Sequence, residues 1–405
     1  MPKVFIHFTF FFFVLTAVSG VWMRAIPFFS SSTLPYTNIL HAHSHIAILG
    51  WTFTGVFIVF LTILWPTIKQ PRQAVVLLIS LFITSFLMFI AFLYQGYGIY
   101  SIILSVVHIF VEYWTAVFIY RESKAQRFLP STVFLFIKGS LLTLVISSIG
   151  PFSLGYISAA GLNESYISDM AIYFYLHFQY NGWLYLILIG LFLLILHSKK
   201  IPVNQRLLTF GFWLYFISLF PGYFLSILWV DNGGIYNFLA TAGSIGQWVA
   251  ILCTLLAFTG SRRHVRKSFS TLTIVLLSIT FSLLFAKSTM ELGLISPTLA
   301  SLIYDTRSII IGYLHFTLLG FVSIFILAQY QMVHLLTVNT YTIYGFALFL
   351  TGFVLNELFL FSHGLMQWLR LQPITFHTQG LFASSLLLLT GITLLWISRC
   401  FNKNS

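Results

Sequence analysis

The chain has 405 residues, of which 59% are hydrophobic and only 7% charged. A soluble domain carries about 25% charged residues, so this composition excludes a water-soluble enzyme and describes an all-α polytopic membrane protein with the bilayer as its solvent. The net charge of +12 gathers in short breaks between apolar runs, which makes it a topology signal and argues against nucleic acid as a partner.

Apolar runs of about 20 residues predict twelve transmembrane helices, at 4–22, 40–64, 73–94, 98–120, 131–150, 171–196, 207–229, 235–259, 268–287, 308–330, 340–362 and 376–398. The first run also reads as a signal-peptide core behind Lys3, but Trp22, Met23 and Arg24 make a poor cleavage site, so a retained helix is expected. Pro66, Pro71, Pro130 and Pro202 mark breaks between later spans. Fifteen basic residues fall on one side of this topology: Lys3, Lys69, Arg72, Arg121, Lys124, Arg127, Lys199, Lys200, Arg206, Arg262, Arg263, Arg266, Lys267, Arg399 and Lys403. Four fall on the other: Arg24, Lys287, Arg307 and Arg370. The positive-inside rule then places both termini in the cytoplasm, with a bacterial plasma membrane as the expected location. Cys253 and Cys400 suggest neither a disulfide framework nor a thiolate metal site. The longest connections, Gly150–Asp169 and Lys287–Arg307, are too short to be domains, and no Walker loop or dinucleotide fingerprint occurs.

Histidines enter the apolar runs at particular places. The second span opens with His41, His43 and His45; His41 shares a helical face with His45, and His43 points elsewhere. The fourth span carries His108 and Glu112 four residues apart, a spacing that suits a ligand with a supporting carboxylate, a proton relay or a structural hydrogen bond. His177 lies in the sixth span and His315 in the tenth. Asn356, Glu357 and His363 cluster in one half of the eleventh, and His377 begins the twelfth, two residues before Gln379. Ionisable groups inside a membrane are costly and usually functional.

Three of these histidines repeat. His45 precedes Gly50-Trp51, His177 precedes Gly182-Trp183 and His315 precedes Gly320-Phe321, each as His, four residues, Gly, aromatic. The intervals are 132 residues (177 − 45) and 138 residues (315 − 177), close to a third of the chain. Internal repeats at approximately 1–130, 131–267 and 268–405 follow, within a single transmembrane domain. The three helices run in the same direction, and each histidine sits early in its span, so the three imidazoles are expected at one depth near the external face.

Twelve helices with these histidines resemble the catalytic subunit (subunit I) of the haem–copper oxidase superfamily. The resemblance implies three pseudo-threefold arcs of four helices. It implies His45 as an axial ligand of a low-spin haem, His315 as a haem ligand and His177 as the first copper ligand. Arg307 and Arg370 are the implied partners of haem propionates, and His41 is a further cofactor-binding candidate. His43, His108 and His377 complete the set of candidate metal ligands. The chain departs from that family in three places: residues 210–229 hold no histidine, His315 is followed by Phe316 and Thr317 instead of a second histidine, and Asn181 stands where a tyrosine is usual. A haem protein without a complete copper site is therefore implied, working in respiratory electron transfer or on dioxygen or nitric oxide. Its partners would be an electron-donor protein or a quinol, accessory membrane subunits and the lipid bilayer. The chain is also similar in style to the NnrS-like haem and copper membrane proteins of nitric oxide stress, through His41-Ala-His43 and the glycine-containing histidine helices. Apart from any family, the same histidines suit a proton or metal transporter, or a metal-binding assembly factor without turnover.

Overall fold

The computed structural model describes residues 3–29, 34–126, 128–162, 165–230, 233–372 and 374–400. Arg127, Lys403 and the side chain of Cys400 lie outside the described residues. Among those residues the chain forms helices joined by short connections, with no strand, and twelve helices are long and apolar enough to cross a membrane. They are α1 Ile6–Phe28, α2 Tyr36–Thr67, α3 Pro71–Gln95, α4 Ile99–Ala125, α5 Ser131–Ala159, α6 Tyr166–Ser198, α7 Gln205–Ile227, α8 Gly234–Ser268, α9 Thr271–Gly293, α10 Arg307–Met332, α11 Thr340–Trp368 and α12 His377–Arg399. Each predicted span is met by one of these, and the protein is an all-α, multi-pass membrane protein.

Both long connections are shorter than predicted. After a break at Ser148, helix resumes at Ile149 and runs to Ala159, because Pro151 sits in a first turn, where its missing N–H and fixed φ cost nothing. In the other connection α9 runs on to Gly293, and a short helix, Pro297–Tyr304, follows with proline at its first position. Lys287, predicted at a membrane edge, is thereby inside α9 and only 3% exposed.

Helix ends are set by side chains that take the free backbone N–H groups. Asn204, Ser270 and Asn339 accept from Leu207, Thr273 and Thr342 at 3.1, 3.2 and 2.9 Å. The turn into α3 is held from a distance: the buried Glu122 carboxylate on α4 accepts from the Lys69 and Gln70 N–H groups at 3.0 and 3.2 Å. Hydrogen bonds to a charged group contribute about 1.5–3 kcal/mol. Glu122→Ala is expected to lower stability by about 2 kcal/mol, read from chemical unfolding in detergent; an unchanged midpoint would show that this carboxylate does not hold the turn.

The chain packs as two units. The first comprises residues 1–122 and 326–405, and the second residues 123–325, so the boundary falls within α10. In the first unit α1 lies against α2 and α12, α2 against α3, and α11 against α12. In the second, α5 packs on α6, α7 on α8, α8 on α9 and α9 on α10. The most apolar segments of α2 and α6 are 83% and 89% buried, against 33–61% in the other spans. A helix that is apolar on every side belongs in an interior, and these two carry His45 and His177.

The three histidine helices share one further property. α2 is π-helical over Ile46–Thr52, α6 over His177–Leu184 and α10 over Phe316–Ser323. Each stretch begins at the histidine or one residue after it and contains the glycine and aromatic residue of the repeat. A π turn widens the helix and leaves carbonyls without their usual partners; it is rare and found mostly at functional sites. Hydroxyls take carbonyls within each stretch: Thr54 donates to Gly50, Tyr215 to Asn181 (2.8 Å) and Ser323 to Leu318 (2.7 Å).

Candidate functional site

In the first unit, His41 and His45 lie one turn apart on α2 beside α3 and the short α3–α4 connection. The His45 Nδ1–H donates to the carbonyl of His41 at 2.9 Å, which assigns the hydrogen to Nδ1 and leaves the lone pair on Nε2. The ring stacks on Phe92 with centroids 4.1 Å apart. The Tyr97 hydroxyl stands 3.5 Å from Nε2, and the Tyr97 ring meets His41 edge-on at 4.4 Å. An imidazole whose one N–H is held by a backbone carbonyl keeps a lone pair on the other nitrogen, as metal-ligating histidines usually do.

His43 has a different environment. Its Nδ1 lies 2.9 Å from the Thr16 carbonyl and 3.1 Å from the Ser19 hydroxyl, and its ring fits against Gly20 of α1. Its contacts are those of α1–α2 packing. His363 and His377, at facing ends of α11 and α12, stack with centroids 4.3 Å apart, and one His377 N–H is held by the Phe359 carbonyl. On α11 the Asn356 amide donates to Glu357 at 3.1 Å. Arg370 lies beyond α11, exposed and with a left-handed φ of 55°.

The second unit brings His177 into a buried polar network that sequence reasoning missed. Its Nε2–H donates to the Leu219 carbonyl at 2.8 Å, and Nδ1 accepts from the Asn181 amide at 3.3 Å. Both ring nitrogens are therefore hydrogen-bonded. The Asn181 orientation is set by Lys287, whose ammonium can only donate and lies 2.6 Å from Asn181 Oδ1. Lys287 also pairs with Glu291 Oε1 at 2.8 Å, an oxygen that accepts from Tyr313 as well. The ammonium lies 5.6 and 5.7 Å from the ring centroids of Tyr180 and Tyr313, within cation–π range. The network thus joins the π segment of α6 to α9 and to the turn of α10 just before His315. Arg307, the first residue of α10, is exposed. On the connection before it, Tyr304 donates to Asp169 at 2.7 Å; partial burial and that carboxylate push its phenol up to about 12.

His45 thus belongs to the first unit, and His177 and His315 to the second. Among the described residues no three His, Cys, Asp or Glu side chains come together as a metal-ion set. The signal for the missed network was the Lys287/Glu291 spacing, four residues apart on a helix; ending the ninth span at Lys287 hid it. No protein-family model and no curated protein matches this chain.

Proposed function

We propose that the chain is a haem-bearing, oxidase-like integral membrane protein that passes electrons or handles a diatomic gas, dioxygen or nitric oxide, near the outer face of a bacterial plasma membrane. The coincidence of each histidine–glycine repeat with a π-helical stretch carries this reading, because rare backbone geometry recurs where the sequence repeats its imidazole. His45 is the proposed iron ligand: its tautomer is fixed by the His41 carbonyl, and its Nε2 lies 3.5 Å from the Tyr97 hydroxyl. Tyr97, 57% exposed, is the group that would move aside. Bound haem would supply one-electron transfer; the chain's part is to hold the imidazole and keep the site among apolar walls. An electron-donor protein or a quinol is the proposed partner, and the three-arc arrangement with cytoplasmic termini is the proposed topology.

Full-length protein purified in detergent is expected to show haem bands in a reduced-minus-oxidised spectrum. His45→Ala should lose them while remaining monodisperse, and His315→Ala tests the tenth span in the same way. Absence of haem from the wild-type chain, or bands untouched by His45→Ala, would overturn the assignment.

The Lys287–Glu291–Asn181 network favours a second reading, a transporter with a polar pathway through the second unit. Uptake in vesicles that depends on Lys287, from a protein carrying no chromophore, would support it over the first.

A further inference from the structure

Inside the first unit, α3 and α4 meet across a short polar strip. Thr84 Oγ1 lies 2.8 Å from the Ser80 carbonyl, to which the hydroxyl must donate. It also lies 2.8 Å from His108 Nδ1. With its own hydrogen committed, Thr84 accepts from His108, so Nδ1 carries the ring hydrogen and Nε2 carries the lone pair. One turn further along α4, Glu112 Oε1 lies 3.7 Å from that Nε2. Neither atom has a hydrogen-bond partner; His108 is fully buried and Glu112 is 4% exposed.

Two electron-rich atoms facing each other in an apolar interior need something positive between them. A shared proton would draw them to about 2.7–3.0 Å, well inside the observed separation. A metal ion bonded to each at about 2.1 Å holds its ligand atoms about 3.4–3.6 Å apart at tetrahedral to trigonal angles. The observed 3.7 Å lies just beyond that span and well beyond a shared-proton contact. The Thr84 hydroxyl behind the ring is the supporting contact such a ligand needs.

We propose that His108 and Glu112 hold a single zinc or copper ion between α3 and α4. The imidazole nitrogen selects late first-row transition metals over alkali and alkaline-earth cations, which prefer oxygen shells. The carboxylate cancels one unit of the ion's charge, which makes burial tolerable. Two protein ligands leave further coordination positions to water or small ligands. Its ligands differ from those proposed for haem, although His45 lies close enough to act electrostatically on His108.

The full-length chain, stripped with chelator in detergent, is equilibrated separately with Zn²⁺ and with Cu²⁺, desalted and assayed for bound metal, with haem bands read from the same samples. Wild type is expected to retain one equivalent of one of the two ions. His108→Ala and the size-conserving Glu112→Gln should lose it. Thr84→Val, which keeps both ligands and removes the hydroxyl behind the ring, should bind about 10- to 100-fold more weakly. Haem bands unchanged in Glu112→Gln would separate this site from the haem reading. Retention of neither ion by wild type, or equal retention by wild type and both ligand variants, would overturn the proposal.

Discussion

Lys287→Met is expected to destabilise the second unit by about 3–5 kcal/mol, the cost of leaving one member of a buried ion pair without its counter-charge. The side chains of Lys287 and Glu291 are 4% and 13% exposed, with nitrogen and oxygen 2.8 Å apart. Removing the ammonium strands the Glu291 carboxylate, and Asn181 Oδ1 loses the donor that sets its orientation. Two partners of the carboxylate survive, the Tyr313 hydroxyl and the Asn181 amide at 3.4 Å, but neither carries charge. The pair itself is worth far less than its disruption costs, because desolvation of both ions offsets most of their attraction. The double variant Lys287→Met/Glu291→Gln should therefore recover most of the lost stability. Chemical unfolding of the purified chain in detergent measures both. A single variant as stable as wild type, or a double variant worse than the single, would show that the charges do not balance each other.

The twelve spans were legible because a bilayer asks one thing of a helix, a run of about 20 apolar residues, and this chain meets that demand openly. Their ends were less so. Helix reaches into both long connections, behind Pro151 and from Pro297, since proline, which ends a helix elsewhere, is well suited to a first turn. In sequence Lys287 marks a membrane boundary, but a partner one turn away and an amide from α6 let it stay inside.

The repeat of His, Gly and aromatic residues was visible in sequence, but its backbone consequence was not. No local propensity distinguishes π from α turns. Hydroxyls reach carbonyls in each π stretch, and one of these, Tyr215, comes from α7, far away in sequence. The split of the three histidines between two units is likewise a matter of packing. What separates His45 from His177 is the partner of the second ring nitrogen: on His177 it takes the Asn181 amide, and on His45 it faces Tyr97. Asn181 is thus informative twice, as a departure from the oxidase pattern and as the residue that occupies His177.

Gly243→Ala is expected to cost about 3 kcal/mol, whereas Gly155→Ala should raise stability by up to about 1 kcal/mol. Both glycines lie in helices of the second unit, and on propensity alone each substitution is favourable by that second amount. Space separates them. Around Gly155 nothing lies within 4 Å of an added Cβ. At Gly243 the new carbon would sit 2.6 Å from the Pro221 carbonyl carbon and closer still to the backbone nitrogen and Cα of Gly222. These are backbone atoms with no rotamer to change, so α7 and α8 must separate, and overpacking of this kind typically costs 1–3 kcal/mol. Close approach through small residues is also how helices associate in a bilayer, where lipid offers no hydrophobic drive to hold them together. The displaced stretch of α7 includes Leu219, whose carbonyl holds His177, so the variant should also loosen the histidine that opens the α6 π segment. Parallel unfolding curves for the two variants test this. A Gly243→Ala protein as stable as wild type would mean that α7 and α8 are not in backbone contact at this point.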